Sequence, residues 1–407
     1  MISSIKLKIY LKTILILLFL HSSAWGAVSE YACVTPDGSD PNVGRYAGRA
    51  YSTLALWEAG ENKDLTAGAG THHICEIIGD WSGTTDVTTA STVVDGWTTN
   101  YSYRVEITVP ASVSGGVADS ARHAGKYDST KYVLALTAGA NTQAALQISD
   151  ENVWLDGLQI QINNADFDDI YGILNPTATV DACVQHWQDL IILGGNNTGV
   201  GDNVQGIFIG DGSLSLYLWN ILVYNIINGT VYCYGIHPSS GNPAIYIYNC
   251  TVSDCDNNIS SDSNQTYVYN TISYNARIAG REWTGNFAGG SHNASGATDP
   301  QCPALPGAAD FVTMQVAGAD FTDYAVDDFS LDVGANLVGT GTDDPSSGLY
   351  NDDIESEART SVWDIGADEY VAAAPPAGGG DVPTQIMGPI VTQFICDEVY
   401  AGSLAYA

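Results

Sequence analysis

Through the middle of the chain, apolar and polar positions alternate in short runs that end on Asn, Asp or Gln, with an aliphatic residue following two or three positions later. The runs are Val153-Trp154-Leu155-Asp156-Gly157-Leu158, Gln185-His186-Trp187-Gln188-Asp189-Leu190, Tyr217-Leu218-Trp219-Asn220-Ile221-Leu222, Tyr246-Ile247-Tyr248-Asn249-Cys250-Thr251-Val252 and Tyr267-Val268-Tyr269-Asn270-Thr271-Ile272. Anchors at 156, 188, 220, 249 and 270 give spacings of 32, 32, 29 and 21 residues. Period-two alternation in Ile, Val, Tyr and Thr marks strands and excludes helical repeats. A propeller blade needs four strands over roughly 40 to 45 residues, more than this repeat supplies. The spacing predicts an all-β fold, a right-handed parallel β-helix whose coils each hold two or three short strands.

In-register stacking of such coils turns equivalent positions into columns about 4.8 Å apart. The recurrent Asn suits a tight corner, because it tolerates the left-handed backbone, and stacked Asn side chains can hydrogen-bond along the axis. Two positions after the anchor, Leu158, Leu190, Leu222 and Ile272, with Val252 shifted by one, read as core. So do Trp154, His186, Leu218, Ile247 and Val268 two positions before it, His186 being a satisfied structural histidine. Alternation then turns the neighbouring positions outward. Leu155, Trp187, Trp219, Tyr248 and Tyr269 form one outward file, and Val153, Gln185, Tyr217, Tyr246 and Tyr267 a second. The aromatic members, Trp187, Trp219, Tyr248, Tyr269, Tyr217, Tyr246 and Tyr267, are the candidate glycan-binding residues, a stacking platform for sugar rings. The competing reading is that a loop covers the file.

A solenoid must close both ends of its core. Ser52 to Ala59 predicts a capping helix with Ser52 as N-cap, stopped near Gly60. Residues 27–149 form this cap and the first coils, with strands at Tyr103 to Val109 and Tyr132 to Leu136. Regular coils occupy 150–284. Residues 285–371 read as a long loop followed by terminal coils, with final strands at Phe329 to Val338 and Val362 to Tyr370. The Ala, Pro and Gly of 372–383 mark a linker, and 384–407 a short tail.

Charge narrows the function. The 407 residues hold 13 Lys or Arg against 46 Asp or Glu, a formal charge of −33. That excludes nucleic-acid binding, which needs clustered cations on phosphates, and a polybasic membrane surface. Residues 1–26 read as a secretory signal: Lys6, Lys8 and Lys12, the apolar run Thr13 to Leu20, then Ala24-Trp25-Gly26 before a cut at Ala27. The mature chain is expected to be secreted or on the cell surface, with no transmembrane segment. Eight cysteines permit disulfides in that compartment without fixing their pairing.

The residues resemble secreted right-handed parallel β-helix proteins of the pectin-lyase-like superfamily over about residues 31 to 371. The close, with Asp332-Val333-Gly334-Ala335, Asp353-Ile354, Arg359 and Asp364-Ile365-Gly366-Ala367-Asp368-Glu369, resembles the ending of bacterial surface proteins called choice-of-anchor Q, with Ser356 where a Gly is usual. That resemblance implies a structural terminus in which Arg359 pairs with nearby carboxylates. Asn152 to Gly157 is similar to a pectate lyase motif, with Gly157 where those enzymes have His.

Lyase chemistry on a uronate needs Arg or Lys to neutralise the substrate, and residues 132 to 276 contain neither. Glycoside hydrolysis needs two carboxyl groups across the bond. Asp166, Asp168, Asp169, Asp189, Asp202, Asp211, Asp254 and Asp256 are candidates. No cofactor is expected, and the Asp-rich loops leave Ca²⁺ as the candidate cation. His72, His73 and His237 read as structural or surface residues. The sequence thus predicts an exported binding protein for a polysaccharide or cell-surface glycan, neutral or basic. The alternatives are a polysaccharide-degrading enzyme, with a glycoside hydrolase ahead of a lyase, and a purely structural surface protein.

Overall fold

The computed structural model describes residues 28–67, 70–100, 102–112, 121–137, 142–163, 169–176, 183–195, 203–210, 214–228, 233–239, 241, 244–296, 311–313, 320–360 and 362–371. The segments expected from sequence to be a secretory signal (1–26), a linker (372–383) and a tail (384–407) lie outside the described residues. Among the described residues, no helix is long and apolar enough to cross a membrane.

Among the described residues, three all-parallel sheets of ten, nine and seven strands carry the chain round successive coils, which makes the fold an all-β parallel β-helix. The first sheet holds β1 (Val28–Val34), β2 (Ala50–Tyr51), β3 (Thr71–Ile77), β4 (Val105–Thr108), β5 (Val153–Asp156), β6 (Cys183–Gln188), β7 (Leu214–Trp219), β8 (Ala244–Tyr248), β9 (Thr266–Tyr269) and β10 (Gly289–Ser291). β2 pairs on the outer side of β1, and the rest stack in chain order. In a regular coil, β5 leads to Gln159–Asn163 in the second sheet and Ile170–Asn175 in the third. Buried Ile, Val and Leu from all three sheets fill one continuous core along the axis.

The N-terminal cap is a helix over Leu54–Glu61, one residue later than the sequence suggests, with Thr53 as N-cap accepting from the Leu56 N–H. It buries Leu54 and Trp57 against the first coils. Residues 285–296, read from sequence as loop, contribute β10 and the strand Asn293–Ser295. At the other end, Phe321–Asp323 and Asp328–Leu331 form an antiparallel pair, while Val362 to Tyr370 runs as bends and irregular backbone instead of the expected strand. This closing segment covers the outside of the second sheet. Phe321, Phe329, Leu331, Leu337, Ile354 and Ile365 pack on Ile191, Leu222, Tyr224 and Ile272.

The corners set the register. Gly157, Asp189, Asn220, Asn249, Asn270 and His292 all have positive φ, between 48° and 75°. Each corner from Asp189 to Asn270 donates its N–H to the last residue of the next strand in the first sheet, Asp189 to Trp219 O (3.0 Å) and Asn249 to Tyr269 O (3.0 Å) among them. The left-handed residue of the first two coils is therefore Gly157 and Asp189, one place after the anchors at Asp156 and Gln188. Because side chains alternate, that single step reverses the faces of the strand before the corner in those coils, Val153 to Leu155 and Gln185 to Trp187, while Leu158 and Leu190 after it stay in the core as expected.

The inward column is Ala32, Cys75, Ile107, Leu155, Trp187, Leu218, Ile247 and Val268. Trp187, expected on the outer file, is 0% exposed within the core, and Leu155 lies beside it. Trp154 and His186, expected inside, are outside. Leu222 and Ile272 also face outward, under the closing segment. The predicted Asn–Asn ladder is only partly realised. Asn220 donates to Asp189 Oδ1 at 3.0 Å, whereas Asn270 exchanges two hydrogen bonds with the backbone of Thr342. Cys33, Cys75, Cys250 and Cys255 are buried thiols.

Candidate functional site

The outer face of the first sheet carries an aromatic ladder. Strand pairing puts Trp154, His186, Tyr217, Tyr246 and Tyr267 opposite one another on β5 to β9. Their ring centroids are 4.3, 5.0, 4.8 and 5.2 Å apart in sequence, and from His186 onward the planes lie within 14° of parallel. The spacing is the strand separation itself, so the β-helix acts as a ruler for the rings. Parallel rings at this distance occupy each other's faces. What Tyr217, Tyr246 and Tyr267, all half-buried, present to solvent is a row of ring edges and hydroxyls. The sequence-based picture of a row of open ring faces is corrected accordingly.

A second outer column runs Asp156, Gln188, Trp219, Tyr248 and Tyr269. Here the closing segment intervenes. Tyr350 lies 4.7 Å from Trp219, and Trp363 meets Trp219 edge-on at 5.8 Å. Trp219 is 0% and Tyr248 5% exposed, while Tyr269 stays half-buried, stacked on Tyr248 at 5.4 Å. The Tyr350 hydroxyl also hydrogen-bonds His186 Nδ1. Burial, with the Arg104 charge adding to it, pushes His186 down to about 4, so it is a neutral partner at physiological pH.

Of the seven aromatic residues singled out from sequence, the structure thus brings Tyr217, Tyr246, Tyr267 and Tyr269 to an open surface. It closes Trp219 and Tyr248 under a cover and puts Trp187 in the core. Trp154, His186, Arg104 and Tyr350 are the members sequence reasoning missed. The first two follow from choosing Gly157 and Asp189 as corners.

At its β5 end the ladder meets charge. The Arg104 guanidinium lies over the Trp154 ring, 3.5 Å from the centroid, and reaches Glu106 at 3.5 Å. Glu106 pairs in register with Trp154, and Thr108 with Asp156. Burial, with the Asp156 charge adding to it and Arg104 opposing it, raises the Glu106 carboxyl above the ordinary carboxylate range. Asp156 accepts from Thr108 Oγ1 and Arg122 Nη1, each at 2.8 Å. Adjacent strands offset by two residues place these two carboxylates' backbones about 8 Å apart. Arg122 also pairs with buried Asp189, tying the corner to Asn220 and through it to Arg359.

The other candidates are committed to structure. His73 accepts from Trp57 Nε1 at 3.3 Å and lies against Arg49, and burial pushes it down to about 3. His237 sits between Gln205 and Asp262. Asp169 accepts from Asn203, Asp254 from Tyr324 and Asn275, and Asp256 from the Asn228 N–H. Asp166, Asp168, Asp202 and Asp211 lie outside the described residues.

One carboxylate group has the donor set for a hard cation: oxygens of Asp353, Glu355 and Asp368 lie within 4.8 Å of one another. Protonation is the other way to relieve their repulsion. Burial, then the charges of Asp368 and Asp353, push Glu355 up to about 9. A proton held in the folded state and released in the unfolded state above about 4.5 stabilises the fold below that pH, and this contribution is lost as pH rises towards 9. Between pH 7 and 8 the wild-type melting temperature is therefore expected to fall, and Glu355→Gln to flatten the slope, in a buffer series containing chelator. Equal slopes would refute the assignment.

No family model matches the chain, and no curated protein matches it. Among solved structures it is similar to the crystal structure of pectate lyase Pel9A, with 12% identity and a TM-score of 0.43, covering 85% of this chain and 98% of that one. At that distance the likeness carries no functional argument, and the fold rests on the strand pairing.

Proposed function

We propose that the protein is an exported β-helix that binds a polysaccharide along the outer face of its first sheet. The observation that carries this reading is the ladder from Trp154 to Tyr267. Its Tyr217, Tyr246 and Tyr267 form a row of half-buried phenol edges and hydroxyls, repeating at about the strand spacing. Tyrosine suits this work, since it supplies apolar contact area and a polar tip with little side-chain entropy to lose. A chain of linked sugars offers hydroxyls and apolar ring edges in the same periodic way. The absence of Lys and Arg from residues 132 to 276 disfavours polyuronates and leaves neutral or basic glycans. The reading requires no cofactor.

A glycan-array screen tests it. Wild type is expected to retain one or more glycans, and Tyr217→Ala/Tyr246→Ala to lose at least tenfold in affinity while melting cooperatively. Retention of full affinity by that variant would remove the ladder from the site.

A second reading, glycoside hydrolysis, is favoured by one feature, the raised Glu106 carboxyl beside Asp156 at the Trp154 end. A protonated carboxyl and a second carboxylate are the acid and base or nucleophile of that reaction. Under it, bound oligosaccharides shorten on incubation and Glu106→Gln abolishes the shortening with binding intact. Unchanged oligosaccharides would leave the protein a binder.

A further inference from the structure

The ladder stops one ring short. Each of its inner rings has both faces occupied: His186 lies between Trp154 and Tyr217, Tyr217 between His186 and Tyr246, Tyr246 between Tyr217 and Tyr267. At the β5 end the last face is closed by the Arg104 guanidinium. At the other end Tyr267 pairs in register with Gly289, which has no side chain to continue the stack. Among the described residues no ring and no cation lies against that second face of Tyr267.

The backbone does not require this glycine. A Cβ at Gly289 would lie 3.5 Å from Tyr267 Cδ1 and 3.7 Å from Cε1, which is ordinary contact. Its neighbour Gly290 is a different case. Its φ is 152°, and a Cβ there would fall 1.9 Å from Val268 O. Among the described residues the place beside Tyr267 thus accepts a side chain's first atom without a clash, about one strand spacing beyond the last phenol.

Resting on the polysaccharide-binding reading, we infer that this rung is a single-ring subsite for a sugar carrying a basic amine. Two observations select the charge. The molecule closes the equivalent face at the opposite end with a cation, Arg104 over Trp154. Residues 132 to 276 hold no Lys or Arg, Arg277 and Arg281 being the first, in the stretch before the third-sheet strand Trp283–Gly285; the chain has a formal charge of −33, and exposed Asp262 lies in the turn entering β9. An ammonium group at a phenol face gains from the ring quadrupole and from the surrounding negative potential. The apolar face of a pyranose supplies the contact area, and half-buried Ser291 and Tyr269 on the neighbouring column supply hydroxyls.

The test is isothermal titration of the whole chain with glucosamine oligomers, their N-acetylated counterparts and neutral glucose oligomers of equal length, at pH 5.5 and low salt. Wild type is expected to prefer the amine oligomers at least fivefold, with the preference shrinking in 0.5 M salt. Gly289→Tyr, which fills the rung with the protein's own ring, and Tyr267→Leu, which removes the platform, should each lose at least fivefold. Circular dichroism checks that both variants fold. If both bind amine oligomers like wild type while Tyr217→Ala/Tyr246→Ala does not, the subsite is refuted and the ladder reading survives. Equal affinity for amine, acetylated and neutral oligomers refutes the charge selection. No binding of any glycan by wild type overturns both readings.

Discussion

Replacing Arg359 by alanine is expected to lower stability by about 3–5 kcal/mol, the cost of leaving a buried charge and its acceptors without their partner. The guanidinium is 0% exposed and pairs with Glu369 at 3.3 Å. It also donates to the carbonyls of Asp352, Gly366 and Ala367 and to Asn220 Oδ1 at 2.9 to 3.1 Å. One side chain therefore fastens the closing segment to the Asn220 corner. The pairing with a nearby carboxylate is the role that its sequence context implied. Urea unfolding followed by tryptophan fluorescence measures the loss, with Trp219 and Trp363 reporting the cover directly. Arg359→Met/Glu369→Gln should recover part of it, because both charges leave together. A loss below about 1 kcal/mol in Arg359→Ala would mean that the segment is held by its apolar contacts alone.

Truncating Trp187 to alanine is expected to cost about 3–5 kcal/mol, as for other large buried side chains. The residue sits in the inward column between Leu155 and Leu218, and among the described residues its indole N–H has no hydrogen-bond partner. Trp187→Leu should cost less, since an unpaired buried donor, itself a burden of about 1–3 kcal/mol, is removed along with the lost volume. Both variants, where folded, should keep wild-type glycan affinity, because the ladder lies on the opposite side of the strand. Thermal melts together with the array decide this. Lost binding in a stable Trp187→Leu protein would contradict the register described above.

Trp187 also shows where sequence reasoning reached its limit. In Gln185-His186-Trp187-Gln188-Asp189 either alternate set is a mixture of polar and aromatic residues, so hydrophobicity does not say which faces inward. The corner decides, and Asp156-Gly157 and Gln188-Asp189 each offer two adjacent residues suited to a turn. Only the backbone, with Gly157 and Asp189 left-handed, chooses between them. In the later coils Asn220, Asn249 and Asn270 stand alone as corner residues. There alternation from the corner puts Tyr217, Tyr246, Tyr267 and Tyr269 outward, and the structure has them half-buried on the outer face.

The sequence by itself determined the parallel β-helix, the coil length, the capping helix and the existence of an aromatic file, because these follow from local alternation, corner chemistry and strand spacing. The tertiary structure alone decided the phase of the first coils, the closure of Trp219 and Tyr248 by Tyr350 and Trp363, and the pairing of Tyr267 with Gly289. A one-residue shift in register leaves the composition of a coil unchanged while exchanging its faces. A cover that arrives from more than a hundred residues away leaves no mark on the strand it covers.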